Sequence, residues 1–207
     1  MSELTRVSAP DGAAPAAPRP LTPVPAGRVS RLRVRAMTLD DCDRVAEIRV
    51  RGWQTAYKGL IPQPYLDTLS VEEDAARRRT YVERGDRAVV DLIAEQDGEV
   101  VGWACHGPYR DGEVRTEDVE LYAIYVHPDR VGEGVGRALL RESVGRCAAA
   151  GYERMLLWVL KENTLARRFY ERAGFGPDGA EEPFDVDGVA VPEVRYVRSL
   201  TGDGVSR

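Results

Sequence analysis

Gly132, Gly134 and Gly136 stand at alternate positions in the segment Glu120-Leu121-Tyr122-Ala123-Ile124-Tyr125-Val126-His127-Pro128-Asp129-Arg130-Val131-Gly132-Glu133-Gly134-Val135-Gly136-Arg137-Ala138-Leu139-Leu140. The segment reads as an apolar strand, a glycine-rich turn and the start of an amphipathic helix. Such a turn presents unpaired backbone N–H groups at the positive end of a helix, where a phosphate or pyrophosphate can accept several at once. Glycine also lets a ligand come close to the main chain. Alone, a glycine-rich turn is equally well explained as an ordinary loop.

A second segment adds weight. Residues 156–175 read as a strand followed by a helix, with Asn163, Ala166, Phe169, Tyr170, Gly174 and Phe175 at fixed offsets. Together the two segments resemble the GCN5-related N-acetyltransferase (GNAT) superfamily. Its members carry an R/Q-x-x-G-x-G/A turn after one strand and an N-x-x-A-x-x-F/Y-Y-x-x-x-G-F helix after the next. The resemblance covers roughly residues 31–200. It implies an α+β chain with the GNAT acyl-CoA N-acyltransferase fold, a mixed central sheet flanked by helices, that moves an acetyl group from acetyl-CoA to a primary amine of a small molecule or peptide by direct transfer in a ternary complex.

That reaction must hold the donor, deprotonate an ammonium, stabilise a tetrahedral oxyanion and protonate a departing thiolate. The resemblance places the pyrophosphate of coenzyme A on Val131, Gly132, Glu133, Gly134, Val135, Gly136 and Arg137. It places the pantetheine arm along Ile124, Tyr125 and Val126, as an added strand. Asn163 would fix the arm from the other side, while the same residue is an ordinary helix N-cap. Tyr170 falls where relatives keep a tyrosine near the cofactor sulfur, and it also lies on a stripe suited to core packing. Glu120 matches the offset of a base glutamate in relatives that acetylate histone lysines, with Glu117 as a fallback. The position at which ribosomal-protein acetyltransferases keep their glutamate is Trp158 here. Two residues depart from the family: Val131 stands where Gln or Arg is usual, and Glu133 where a basic residue is common. A carboxylate beside a pyrophosphate costs roughly 1 kcal/mol when solvated, which Arg130 and Arg137 would offset. The early helices and the closing hairpin would line the acceptor cleft with Trp53, Tyr57, Tyr65, Phe184 and Asp185, and Trp103 and Tyr122 would add an aromatic wall; core packing is the competing reading for each aromatic.

The elements that position these groups follow from pattern. Residues 31–36 read as a strand, and a helix beginning at Thr38–Asp41 carries Val45, Ile48 and Trp53 along one side. Ser70 and Glu73 form a capping box for a helix through about Glu83. Residues 88–95 and 99–106 make a hairpin turned at Asp97-Gly98, and residues 119–126 the next strand. The helix after the glycine turn repeats apolar groups at 140, 144, 147 and 148 and stops at Gly151. Residues 154–160 are a strand, the next helix buries Ala166, Phe169, Tyr170 and Ala173 and ends at Gly174, and a hairpin of 180–186 and 190–198 turns at Asp187-Gly188.

Composition bounds the rest. A chain of 207 residues, 43% of them hydrophobic, has room for one domain with a full core. Residues 1–30, rich in Ala and Pro, cannot bury enough surface to offset their ordering and read as a disordered tail; residues 201–207 read as a flexible C-terminus. No secretory pattern and no membrane-length apolar run is present, so a cytoplasmic protein without membrane contacts is expected. Cys42, Cys105 and Cys147 are odd in number and far apart, which favours reduced buried thiols, and with two histidines they match no zinc spacing, so no metal is expected. A net charge of −5 without a basic cluster argues against nucleic acid. Dimers are common in the family, and Tyr and Trp on the closing strands suit a homodimer. A rival reading is a non-catalytic acyl-CoA-binding regulatory module; a nucleotide-binding domain would need a Walker lysine or a ribose-binding acid that the spacing does not supply.

Overall fold

The dipeptides Asp97-Gly98 and Asp187-Gly188 set the two tight hairpins of the sheet: all four residues have positive φ, between 53° and 91°, as a two-residue hairpin turn of matching twist requires. The computed structural model describes residues 31–85, 88–111 and 114–201. The tail of residues 1–30 and residues 202–207, where a disordered segment and a flexible terminus are expected, lie outside the described residues.

In chain order the elements are β1 (Leu32–Ala36), a 3-10 turn (Leu39–Asp41), α1 (Cys42–Ala56), α2 (Gln63–Thr68), α3 (Val71–Arg84), β2 (Val90–Gln96), β3 (Glu99–Asp111), β4 (Val114–Val126), a second 3-10 turn (Pro128–Arg130), α4 (Val135–Ala149), β5 (Arg154–Leu160), α5 (Thr164–Arg172), β6 (Gly176–Val186) and β7 (Val189–Ser199). The strands form one seven-stranded sheet in the order β1-β2-β3-β4-β5-β7-β6. Every neighbouring pair is antiparallel except β4 and β5. This mixed sheet with helices on both faces is the α+β architecture expected.

One face is covered by α4 and α5. Their Val135, Leu139, Leu140, Cys147 and Tyr170 pack with Leu92, Val101, Val119, Leu121, Met155, Leu157 and Tyr196 of the sheet. Close approach is possible because residue 102 is a glycine: a Cβ there would stand 2.8 Å from Val135 and 2.9 Å from Leu139. On the other face, α1 and α2 bring Trp53 and Leu66 against Leu160, Val186 and Val191, while Val45 packs with Ile93 and Trp103.

Several expectations need correction. The inward stripe of α4 runs through residues 135, 139, 140, 143 and 147, so Ala148, expected inward, is exposed, and Ser143 is buried in the stripe. The capping box of α3 is closed on one side only: Ser70 Oγ accepts from Glu73 N–H at 3.2 Å and turns its own proton toward Glu72 at 2.9 Å. β4 begins at Val114 rather than 119, and β6 at Gly176 rather than 180. At the start of α1, Asp41 accepts from Thr38 N–H and Oγ1, both at 2.8 Å, and pairs with both terminal nitrogens of Arg35. Those bonds to Arg35 hold its carboxyl below the usual range. The three cysteines are buried and unpaired, as structural thiols are.

Candidate functional site

A cleft opens in the middle of the sheet because β4 and β5 stay together for two residue pairs only, Val119 with Met155 and Glu120 with Leu156. Beyond that point β5 continues alongside β7 to Leu160, while β4 bends away with β3. A bulge accounts for the bend: Leu121 lies opposite His106 and Ala123 opposite Cys105, leaving Tyr122 as the extra residue. Tyr122 folds over Gly107, where a Cβ would meet its ring at 2.8 Å. The β5-facing edge of Ile124–Val126 is therefore left without a strand partner. The cleft, about 200 Å³, is lined from β4 by Ile124, Tyr125 and Val126 and from α1 by Gly52 and Tyr57. Trp158, Val159 and Leu160 line it from β5, and Asn163, Ala166 and Tyr170 from α5.

At the mouth of the cleft is the glycine turn. His127 N–H bonds Val101 O at 2.9 Å and fixes the end of β4 on β3. The chain then passes through the 3-10 turn into Gly132 (φ 92°) and Gly134 (φ 86°), which is the N-cap of α4. That left-handed backbone is open to glycine at little cost. Among the described residues, the N–H groups of Gly134, Val135, Gly136 and Arg137 have no backbone carbonyl to bond, as befits the first turn of a helix. Arg137 reaches back over them, its guanidinium 3.6 Å from where a Cβ on Gly134 would stand. Glu133 turns away: its carboxylate accepts from Gln96 Nε2 at 3.2 Å and lies 3.8 Å from Arg130. Arg130 is shared with Glu99 at 3.7 Å, so it is spent on carboxylates, whereas Arg137 has no ion pair among the described residues. Val131 is 70% exposed and lines the cleft.

α5 faces this edge from the opposite side. Although only nine residues long, it is pinned at both ends: Arg167 donates to Tyr196 Oη (3.0 Å) and Lys161 O (2.8 Å), and Arg198 donates to Ala173 O (2.8 Å). Asn163 Oδ1 accepts from Ala166 N–H at 3.1 Å, so it is the N-cap, and its amide N–H₂ faces no partner among the described residues. Tyr170 is packed edge-on between Phe169 and Phe175, and its ring joins the core while the residue lines the cleft. Burial, with Tyr57 nearby, raises its pKa above that of an ordinary phenol. Tyr57 and Tyr125 share a hydrogen bond of 3.1 Å between their hydroxyls, and burial raises both.

The remaining sequence candidates separate. Trp53, Tyr65 and Phe184 form an aromatic cluster with ring centroids 6.1–6.3 Å from Trp53, so they pack on one another outside the cleft, and Tyr57 alone of that set lines it. Asp185 is taken up by its own hairpin, accepting from Gly188 N–H at 3.2 Å. Trp103 stacks on Tyr125 at 6.2 Å and donates to Asp91 at 2.8 Å. Glu120 lies at the closed end of the β4–β5 pair and is not among the residues that line the cleft. A carboxylate outside the sequence candidates does line it: Glu193 of β7, directly across from Leu160 of β5. Burial, with Glu182 adding to it, pushes its pKa up to about 7. Strand alternation carries the signal, since Glu193 shares a face with buried Val191, but its neighbours there come from other strands.

Residues 50–175 match the Acetyltransferase (GNAT) family. The chain belongs to the GNAT family. Among similar GNAT proteins, the uncharacterized N-acetyltransferase YuaI of Bacillus subtilis is 33% identical over 78% of this chain and 89% of its own length. The probable N-acetyltransferase Rv2775 of Mycobacterium tuberculosis is 28% identical over 81% and 93%. Among solved structures, YncA of Salmonella typhimurium, a putative acetyltransferase with its cofactor acetyl-CoA, superposes with a TM-score of 0.64 at 22% identity, over 85% of this chain and 98% of that one. The PaiA N-acetyltransferase of Thermoplasma acidophilum in complex with coenzyme A superposes at 0.63 with 18% identity, over 82% and 99%. A wider hollow on the α3 side of this GNAT chain is less suited to a ligand. Its Arg49, Arg77 and Arg78 are all bound to Asp74, and Arg78 also lies 3.9 Å over the Trp103 ring.

Proposed function

We propose that the protein transfers an acetyl group from acetyl-CoA to a primary amine, directly and within a ternary complex. The observation that carries this reading is the unpartnered edge of β4, faced across the cleft by Asn163 and Tyr170. Acetyl-CoA supplies an acyl carbon activated as a thioester.

The residues present fit that donor. The free N–H groups of Gly134 to Arg137 and the Arg137 guanidinium suit a pyrophosphate. The bare edge of Ile124–Val126 suits the amides of a pantetheine arm, which would complete the interrupted sheet, and an N–H of the same edge would polarise the thioester oxygen. The amide of Asn163 closes on the arm from the other side. Tyr170, held in its protonated form, gives its proton to the departing sulfur. None of the three cysteines lines the cleft, which supports direct attack by the amine. Val131 and Glu133 cost little in this arrangement, because the donors are main-chain groups and the Glu133 carboxylate is turned outward. The acceptor is a small amine or a peptide terminus, entering past Tyr57.

Calorimetry with acetyl-CoA, followed by turnover on a panel of primary amines, tests the reading. A Kd in the micromolar range with acetylation of one amine supports it. Binding without turnover on any amine supports the non-catalytic module instead, and no binding at millimolar acetyl-CoA refutes both.

A further inference from the structure

A second acidic group in the cleft has no role in the scheme so far. We infer that Glu193 accepts the proton of the incoming ammonium, an inference that rests on the acetyltransferase reading above. Its position is set by the sheet. β7 pairs with β5 in a register that puts Glu193 opposite Leu160, on the face that also carries Val191 and looks toward α1. There it lines the same cleft as Tyr57, Tyr125 and Tyr170. The splay of β4 from β5 thus leaves one wall with the donor-binding edge and the other with a carboxylate.

The surroundings keep this carboxylate available. Among the described residues the Glu193 carboxylate has no hydrogen bond and no ion pair. The groups around it are Glu182, paired with it from β6, and Tyr57, Tyr125 and Tyr170, which line the same cleft. The nearby cations are engaged elsewhere: Lys161 with Glu181 at 2.8 Å, Arg195 with Asp178 at 2.7 Å, and Arg49 with Asp74 at 2.8 Å. Burial and Glu182 both disfavour the charged form, and the carboxyl titrates at about 7, close to where a general base works best. Glu120 lacks this placement, since it sits where β4 and β5 are still paired.

The steps balance. An N–H bond of the ammonium breaks and an O–H bond forms on Glu193. The nitrogen lone pair then forms the C–N bond at the thioester carbon. As the C–S bond breaks, the sulfur takes the proton of Tyr170, and the phenolate recovers one from the nitrogen as it becomes an amide. Glu193 returns its proton to solvent.

The test uses the full chain with benzylamine, an aromatic primary amine suited to the Tyr57 wall, over pH 5.5–9. In the wild type, kcat/KM for benzylamine should rise through a limb centred near pH 7. Glu193→Gln should lower it about 100-fold and abolish that limb, with the Kd for acetyl-CoA changed less than about twofold. The idea is overturned if the limb survives in Glu193→Gln, or if Glu120→Gln removes it instead. Carboxyl ¹³C NMR of Glu-labelled protein with coenzyme A added gives an answer independent of turnover. A resonance that is lost in Glu193→Gln and titrates near pH 7 supports the assignment; one titrating in the ordinary carboxylate range refutes it. Failure of the acetyltransferase reading would look different, as absence of acetyl-CoA binding in the wild type.

Discussion

The two walls of the cleft are made of different material. The β4 wall, with its turn into α4, offers main-chain N–H and C=O groups, the glycines of the turn and one arginine, beside the side chains of Ile124, Tyr125 and Val126. The β5–β7 wall offers side chains: Trp158, Leu160, Glu193 and, from α1, Tyr57. A wall of backbone is encoded locally, in a strand, two positive-φ glycines and a helix start. A wall of side chains exists only after strands distant in sequence have paired. The first should tolerate changes of side chain and fail on changes of backbone; the second should do the reverse.

The largest effect is expected on α5, which bridges the walls. Tyr170→Phe should lower kcat about 100-fold or more while leaving acetyl-CoA affinity unchanged. Because burial raises the phenol above its ordinary pKa, the wild type should show no alkaline loss of rate from Tyr170 below about pH 10. Unchanged turnover in the variant would remove the acid from the scheme.

On the backbone wall, Gly134→Val places a branched side chain at φ 86°, a conformation costing on the order of 1–2 kcal/mol. Acetyl-CoA should bind about tenfold more weakly by calorimetry. Arg137→Met should weaken binding about fivefold, with most of the difference gone at high salt. Glu133→Lys is the sharpest contrast, since its carboxylate is turned to Gln96 and Arg130: the Kd should change less than about threefold. A tenfold gain would mean that the side chain reaches the anion and that the wall is less purely backbone than described.

On the side-chain wall, Glu193→Gln has a signature in stability as well as in rate. The folded-state pKa is raised to about 7, so between the ordinary carboxylate range and pH 7 the folded protein holds a proton that the unfolded chain has lost. Stability therefore falls as pH rises through that window, and the full cost is present above it. The variant should melt about 3 °C higher than the wild type at pH 8, for a half-buried group costing roughly 1 kcal/mol, and at the same temperature at pH 4.

The same division governs what the sequence disclosed. The glycine turn, Asn163 and Tyr170 were legible because their offsets lie within single strand-turn-helix units, and the two hairpins because Asp-Gly dipeptides enforce them locally. The closed end of the cleft was not. Glu120 has the right offset from the turn, yet a bulge at Tyr122 places it behind the point where β4 and β5 part. Glu193 needed the β5–β7 register, which no local pattern states. The early start of β4 was hidden because Arg115, Glu117 and Asp118 break the apolar run. In α4 the polar Ser143 masked the true inward stripe and made Ala148 look like part of it.

Two rungs of backbone pairing, at Val119 and Glu120, are all that stitch the sheet across its middle. In mechanical terms the molecule is two plates sharing a short seam, and the remaining stiffness comes from the core that α4 and α5 share with strands of both plates. Amide protons along the open lip of β4 should therefore be the fastest-exchanging in an otherwise central strand, and filling the gap should turn a hinged pair of plates into a single board.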